Sequence, residues 1–592
     1  MKDLEYPFDG REIIKNKRKL KKALLESNEN LLEKRIAVLG GSTTRNICLM
    51  MELFLLNNGI KPVFYESEYN QYYQEGLFPS QELVEFKPEI IYICTTNKNI
   101  EKYPGIADRA AEVEDILSNE YAKYESIWIS LKEKFGCEII QNNFEMPYYR
   151  VMGNMEASDI HGTINFLTRL NMKFYEYSQK TTGFHICDIN FISADFGLRQ
   201  WHKPYDYHMY KYAMNVAAIP DLAFNVANII KSIYGKNKKG FVLDLDNTLW
   251  GGVVGDDGVE GIKIGPEESQ GQAYSEFQTY LKKHKDMGLL LNIASKNDEE
   301  NAIAGLKHPY SVLTSEDFLV IKANWNPKDD NIINIANEIN ILPESLVFVD
   351  DNPAERHLVK ENIKNISAPE IDEVQNYIRT IDHNGYFEMT SLSEDDMKRN
   401  QMYKENVARD SLKNSFTDYG DYLKSLEMVG EFGAFDPMYI SRIAQLTNKS
   451  NQFNLTTKRC SVEEIENISQ DDRYITVSGK LIDRFGDNGI VTVVMGEQEN
   501  DICHIRLWLM SCRVLKRDME QATMDYLVKS CLARGVKELR GYYYPTAKNS
   551  MVKDFYEDMG FEMVSENDAG DKVYKLTIDE SYEKKNHYIK VV

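Results

Sequence analysis

Near the middle of the chain, the stretch FVLDLDNTLW (residues 241–250) ends an apolar run in two carboxylates two residues apart. Asp244 and Asp246 can divide the work of a phosphoryl transfer. The first attacks phosphorus and forms an aspartyl phosphate; the second gives a proton to the leaving group and takes one from water. One carboxylate cannot do both. Alone, the stretch also reads as a strand end closed by an Asx-turn, but three later stretches argue for chemistry. Ser295 in LNIASKN offers a hydroxyl to a phosphoryl oxygen. A lysine is needed to neutralise the phosphoryl group and its nucleophile, and Lys322 in IKANW competes with Lys328 in NPKDDN; Lys328 is favoured because it opens the helix leading into the next strand. Asp350 and Asp351 in FVDDNPAER complete a hard oxygen shell for Mg²⁺ with Asp244 and the backbone carbonyl of Asp246. Thr248 joins the catalytic set, with Asn247 and Asn297 on the substrate side.

These groups meet only if their strands end on one edge. GFVLDLD, LLLNIAS and SLVFVDD are apolar strands separated by helical stretches, each closing in a carboxylate or hydroxyl. In a parallel sheet such ends converge in the crevice where α/β ligands bind. The expected fold class is α/β and multidomain: a helical segment over 1–33, an α/β domain over 34–237, a Rossmann-like parallel-sheet phosphotransferase core over 238–395, and an α+β domain with an antiparallel sheet over 396–592. Only 32 residues lie between Ser295 and Lys328, too few for an inserted cap domain. The Gly-rich WGGVVGDDGVEGIKIG (250–265) reads as a hairpin flap over the phosphate, or as an ordinary turn.

The chain has 592 residues, too many for one core at about 150 residues per domain. With 92 acidic against 70 basic residues its net charge is −22, which disfavours nucleic acid and anionic membranes as partners. An acidic partner would need a local basic patch, and none stands out. Eight scattered cysteines show no metal-ligand spacing and read as reduced thiols. No apolar leader follows the basic N-terminus, so a soluble cytoplasmic protein is expected.

The D-x-D-x-T of residues 244–248 resembles the signature of the haloacid dehalogenase superfamily, whose lysine usually opens the helix before the last strand. LDLDNTLWGGVVGDDG, IASKNDEENA, IKANWNPK and SLVFVDDNPAERHLVK are closer still: together with AQLTNKSNQFNLTTKR and LIDRFGDNGIV they resemble the FkbH-like proteins, a capless branch associated with polyketide and related assembly lines. The resemblance implies that a phosphorylated three-carbon acid, 1,3-bisphosphoglycerate, becomes a glyceryl thioester on the phosphopantetheine arm of an acyl carrier protein, with loss of phosphate. The C-terminal part resembles GNAT acetyltransferases. In YYPTAKNSMVKDFYEDMGF, Asn549 and Tyr556 match positions facing the pantetheine or thiol, whereas RVLKRDME lacks the glycines of the pyrophosphate loop, which puts free CoA in doubt. Cys512, near Arg513 and Lys516, is either an acyl-accepting thiol at the splay of the central strands or a small buried hydrophobe. The N-terminal domain weakly resembles SGNH hydrolases, with Ser42 in LGGSTTRN and Asn97 in TTN. Gly41 stands where that family has aspartate, and His202, Asp206 and His208 have the wrong spacing for its base. A scaffold or docking role is favoured over esterase chemistry.

The sequence therefore carries three readings: phosphate removal coupled to acyl transfer onto a carrier thiol, a phosphatase fused to a small-molecule or nucleotide-sugar N-acyltransferase, and a carrier-binding assembly protein with little catalysis.

Overall fold

Three sheets organise the chain. The computed structural model describes residues 1–27, 31–413, 415–546 and 548–592, with the backbone alone for Asp395, Asp410 and Ser411. Residues 28–30, within the expected N-terminal helical segment, lie outside the described residues. Two compact units result: Met1–Ile233 with Ser461–Glu464, and Tyr234–Cys460 with Ile465–Val592. The expected phosphotransferase and C-terminal domains thus share one unit.

In the first unit, β1 (Leu32–Gly40), β2 (Ile60–Glu66), β3 (Ile90–Cys94), β4 (Glu138–Asn142) and β5 (Phe184–Cys187) pair in parallel in the order β2-β1-β3-β4-β5. The order reverses beside β1, as in doubly wound sheets. The helical stretch Val216–Ile233 is long and apolar enough to cross a membrane by length and composition, yet 67% of it is buried inside the structure.

The second unit opens with β6 (Gly240–Leu243), β7 (Leu290–Ser295), β8 (Val320–Ala323) and β9 (Leu346–Val349), parallel in the order β8-β7-β6-β9. The apolar runs of β6, β7 and β9 are buried throughout, as a sheet covered on both faces requires. Alternation sorts them: Phe241, Leu243, Val347 and Val349 join one core, and Val242, Leu346 and Phe348 the other. Register places the C-terminal ends of β6, β7 and β9 side by side. Between β6 and the helix Ser269–Asp286 lies only the short helix Val254–Asp257, so no cap domain is inserted there. Gly251 and Lys263 bridge antiparallel at the base of this excursion.

The charged stretch 391–412 folds mainly as two helices, Glu394–Met397 and Arg399–Lys413. Beyond it, β10 (Val429–Gly433), β11 (Tyr474–Asp483), β12 (Gly486–Glu499), β13 (Ile502–Met510), β14 (Glu538–Tyr543), β15 (Glu562–Glu566), β16 (Lys572–Thr577) and β17 (Lys590–Val591) form one sheet, ordered β15-β16-β14-β13-β12-β11-β10-β17. Most pairs are antiparallel, but β10 and β17 run parallel, as do β13 and β14, which the helix Met519–Leu532 links. Their ladder stops at Ile505 and Gly541 although both strands continue. This is the splay expected from the sequence, and it is filled. Leu455 N–H donates to Trp508 O (3.0 Å), Met510 N–H to Phe453 O (3.0 Å) and Tyr544 N–H to Leu455 O (2.9 Å), so Phe453–Leu455 lies between the strands and satisfies both edges.

Asn549 locks this insert. Its side-chain amide donates to Asn454 O and Tyr544 O (both 2.9 Å), while its carbonyl oxygen accepts from Thr546 N–H (2.7 Å). Replacing a fully bonded, fully buried group strands its partners. Asn549→Ala is therefore expected to cost about 1–3 kcal/mol in denaturant unfolding and to speed hydrogen exchange at the Leu455 and Tyr544 amides. Unchanged exchange there would show that the insert is held by other means.

Candidate active site

Asp244 extends β6 by one residue, its N–H donating to Val349 O at 2.9 Å. Asp350 extends β9, and Lys328 opens the helix Lys328–Glu338. All three are buried. The Lys328 ammonium lies 3.0 Å from Asp244 Oδ1 and 2.5 Å from Asp350 Oδ2. Lys322 instead pairs with Glu338, so the competition between the two lysines ends with Lys328 at the aspartates. Burial works against the Lys328 charge, but Asp244 and Asp350 outweigh it and hold the ammonium above its ordinary pKa.

The oxygens of Asp244, Asp350 and Asp351 approach within 4.8 Å of one another. One lysine does not balance this charge: burial and then the Asp244 carboxylate push Asp350 up to about 6 and raise Asp351 as well. Clustered carboxylate oxygens facing such repulsion are the donor set that a hard divalent cation relieves. The residues fit Mg²⁺, with Asp244, Asp350 and Asp351 as carboxylate ligands. The loop that presents Asp350 and Asp351 is fixed in turn. Arg356 donates to their two carbonyls at 2.6 and 2.8 Å, Asp351 N–H donates to Thr248 Oγ1 at 3.2 Å, and Asn352 caps the helix Pro353–Asn362.

Asp246 is held differently. Its Oδ1 accepts from Trp250 Nε1 (2.9 Å) and Val254 N–H (3.0 Å), and its Oδ2 from Asn297 Nδ2 (2.9 Å). Asn297, expected on the substrate side, thus orients Asp246. Burial raises the Asp246 pKa against the pull of these donors. Asn247 has a positive φ of 55°, accepts from Gly252 N–H at 2.9 Å and anchors the 250–265 excursion. Its carbonyl accepts from the hydroxyls of Tyr274 and Tyr377 (3.2 and 3.1 Å). Ser295 is buried at the end of β7. An open cleft of about 740 Å³ borders Asn247 and Asp351; its walls include Gln270, Tyr274, Asp372, Glu373 and Gln375 and no cation.

The C-terminal residues lie elsewhere in this unit. Cys512 is the only one of the eight cysteines that is not buried. Its carbonyl accepts from Asn340 Nδ2 at 2.7 Å. Arg513, expected to activate it, turns to Ser511 Oγ and Met402 Sδ, and Lys516 is exposed. Asn549 and Tyr556, expected to face a pantetheine, face the protein: Asn549 holds the insert, and Tyr556 is buried among Trp508, Phe561 and Tyr574. The expectation fails because the gap between β13 and β14 is closed by Phe453–Leu455. At the start of the helix Met519–Leu532, where a pyrophosphate would sit, Lys516 N–H donates to Glu520 Oε1 (3.0 Å). A carboxylate of the chain occupies that position, so the missing glycines are matched by a missing vacancy.

In the N-terminal unit, among the described residues no hydrogen bond joins Ser42 to a histidine. Asn97 bonds Glu145, His202 Nε2 meets Met146 O (2.9 Å), and Asp206 pairs with Lys203 (3.0 Å). No triad is assembled there.

Residues 35–231 match the family FkbH, N-terminal domain. The chain is similar to the N-terminal part of the protein BF1531 from Bacteroides fragilis, described as containing a phosphatase domain complexed with Mg, at 29% identity and a TM-score of 0.59, over 64% of this chain and 99% of that one. It also aligns with the ribosomal-protein-S18-alanine N-acetyltransferase from Escherichia coli (15% identity, 27% of this chain, 99% of that chain, TM-score 0.21) and Ard1 from Thermoplasma volcanium (16% identity, 26% and 99%, TM-score 0.20). These two are too distant to bear on its chemistry. No curated protein matches the chain.

A cation that binds only the folded protein stabilises it by mass action. Mg²⁺ at a hundredfold over its Kd is expected to add about 2.7 kcal/mol, seen as a rise in Tm. Asp351→Asn should lose most of that rise while retaining the metal-free Tm. An equal rise in the variant would remove Asp351 from the metal site.

Proposed function

We propose that the second unit is a Mg²⁺-dependent phosphotransferase whose action is coupled to acyl transfer onto a carrier-protein thiol. The observation that carries the phosphotransferase reading is the meeting of Asp244, Lys328, Asp350 and Asp351 at one sheet edge, with Asp246 held two residues from the nucleophile. The Mg phosphatase domain of the similar Bacteroides fragilis protein supports it.

In this reading Asp244 attacks phosphorus, the phosphorus–oxygen bond to the leaving group breaks, and Asp246 supplies the departing oxygen with a proton. Asp246 then takes a proton from water, which displaces phosphate from Asp244 and frees the carboxylate. Lys328 offsets the charge on the nucleophile and the phosphoryl oxygens throughout. A bound Mg²⁺ polarises the phosphoryl group and screens it from the attacking carboxylate.

Cleavage at phosphorus dissipates an acyl phosphate, because it releases a free carboxylate. For 1,3-bisphosphoglycerate, thioester formation therefore needs a thiol to attack the acyl carbon and expel phosphate there. The aspartates act on the phosphate monoester at the other end. The cleft beside Asp351 suits that division: amides, phenols and carboxylates face the rest of the substrate, and a glyceryl thioester on an amide-bearing arm carries no second phosphate to be met.

Doubly labelled 1,3-bisphosphoglycerate (carbon and both phosphates) with holo acyl carrier protein tests this. The carrier should gain carbon label without phosphorus label; with Asp244→Asn it should keep both. A carrier without carbon label overturns the transfer, and undiminished phosphate release by the variant overturns the role of Asp244.

The Glu520 carboxylate at the pyrophosphate position argues against the second reading, a phosphatase fused to a small-molecule or nucleotide-sugar N-acyltransferase fed by acetyl-CoA. Acetyl-CoA is expected to leave the Tm unchanged, and a clear rise would restore that reading.

A further inference from the structure

The strand order of the first sheet reverses beside β1, so the turn that follows β1 opens where doubly wound sheets take their ligands. That turn is GGSTT (residues 40–44), and it leads into the helix Arg45–Asn57. Its neighbours hold it in place. Gly41 N–H donates to Cys94 O (3.0 Å), Thr43 N–H to Lys211 O (3.0 Å) and Thr43 Oγ1 to Tyr210 O (2.8 Å), while Gly41 O accepts from Asn99 Nδ2 (2.8 Å).

The donors at the helix start are not answered in the same way. A helix leaves its first N–H groups without an intrahelical acceptor, and a side chain at the N-cap usually takes one of them. Thr44 stands at the N-cap and makes no such bond. Among the described residues, the N–H groups of Ser42, Thr44, Arg45, Asn46 and Ile47 and the hydroxyls of Ser42 and Thr44 have no hydrogen-bond partner within the chain. Ser42 and Thr44 are 4% and 5% exposed and Ile47 is 1% exposed, a depth at which unmet polar groups are costly. Buried polar groups are normally bonded, and those that the chain leaves unmet are available to a ligand.

Two cations come from the residues that hold the turn. Lys211 supplies the carbonyl that Thr43 bonds, and Lys98 adjoins Asn99. The ammonium groups of Lys98 and Lys211 lie 5.5 and 5.4 Å from the ring centre of Tyr207, and that of Lys98 lies 5.5 Å from the ring centre of Tyr148. Neither lysine forms an ion pair among the described residues, whereas Arg45 is spent on Glu66 (2.6 Å). A helix N-terminus, unmet donors and unpaired ammonium groups together favour an anion.

We infer that the turn 42–44 and the start of the helix Arg45–Asn57 form a phosphate-binding site, with Lys98 and Lys211 as its cations. Several N–H donors with two hydroxyls suit the oxygens of a tetrahedral dianion better than the two of a carboxylate. The phosphate is either a free ion or the terminal group of a phosphopantetheine arm; the turn recognises what they share. The site binds and does not cleave, since no base reaches Ser42. Its residues all belong to the first unit, so it stands or fails independently of the phosphotransferase reading.

Hydrogen exchange of the full-length protein, read by mass on peptides covering residues 41–50, tests the site. EDTA removes divalent cations, so that phosphate does not gather at the aspartates of the second unit. Inorganic phosphate and phosphopantetheine are expected to slow exchange in these peptides, where pantetheine and NaCl at matched ionic strength do not. Ser42→Ala and Thr44→Val are each expected to weaken the midpoint of protection about tenfold, and Lys98→Met about threefold at low salt. Because the two hydroxyls bond nothing in the chain, removing them is expected to leave the ligand-free Tm unchanged or higher. A purely structural role predicts the opposite.

A midpoint for phosphopantetheine well below that for inorganic phosphate identifies the arm as the source, and one no lower identifies the free ion; either result supports the site. Absence of protection by both phosphate probes, equal protection by pantetheine or NaCl, or midpoints unmoved in both hydroxyl variants overturns it. A lowered ligand-free Tm in both hydroxyl variants overturns it as well, because those groups then serve the fold.

Discussion

The phosphotransferase half of this protein depends on concentrating carboxylates at the edge of a buried parallel sheet. Asp244, Asp350 and Asp351 stand close enough to repel, in a place where burial alone penalises each charge. Lys328 is the permanent part of the solution, bonded to Asp244 and Asp350 at once. Much else in this region serves that knot. Apolar strands buried on both faces give Asp244 and Asp350 rigid supports, Arg356 pins the carbonyls of the Asp350–Asp351 loop, and Thr248 ties that loop back to the strand carrying the nucleophile. The aspartates are costly to fold, and a cation plus a phosphoryl group convert that cost into binding.

The same accounting of backbone and charge explains the C-terminal sheet. Two parallel strands that part leave N–H and C=O groups unmet on facing edges, and these must be satisfied by ligand, water or chain. Here the chain supplies the segment Phe453–Leu455, and Asn549 clamps it. At the nearby helix start, Glu520 takes a backbone N–H that a pyrophosphate would otherwise claim. Both devices remove sites that a nucleotide-bearing cofactor uses.

The phosphotransferase site was legible because its residues sit at strand ends, where order along the chain and position in space are linked by a simple rule: successive parallel strands finish on one edge. Asp244, Ser295 and Asp350 follow that rule, and Lys328 joins them from the first position of a helix. Roles that depend on a side chain's direction were not legible. Asn297 turns toward Asp246 rather than toward a substrate, and Arg513 turns to Met402 rather than to Cys512, although both choices satisfy the same local spacing. Asn549 shows the harder limit. The resemblance of its stretch to GNAT proteins implied that it faces a pantetheine; nothing local says that a segment nearly a hundred residues earlier in sequence already occupies the splay. Tyr274 and Tyr377, which meet at one carbonyl, have no signature beyond periodic placement on their helices.

Net charge misleads for a related reason. A total of −22 describes the field seen from far away, but at physiological salt that field decays over about 8 Å, and a ligand entering a crevice responds to the groups lining it. Lys236, Lys239, Lys449 and Lys548 are spread over more than three hundred positions, so no window of sequence shows them as a basic run. They come from different kinds of element: Lys236 and Lys239 from the approach to β6, Lys449 from the end of the helix Ile440–Lys449, and Lys548 from the loop before Asn549. Much of their charge is then answered within the chain, Lys449 by Asp396 and Lys548 by Glu344.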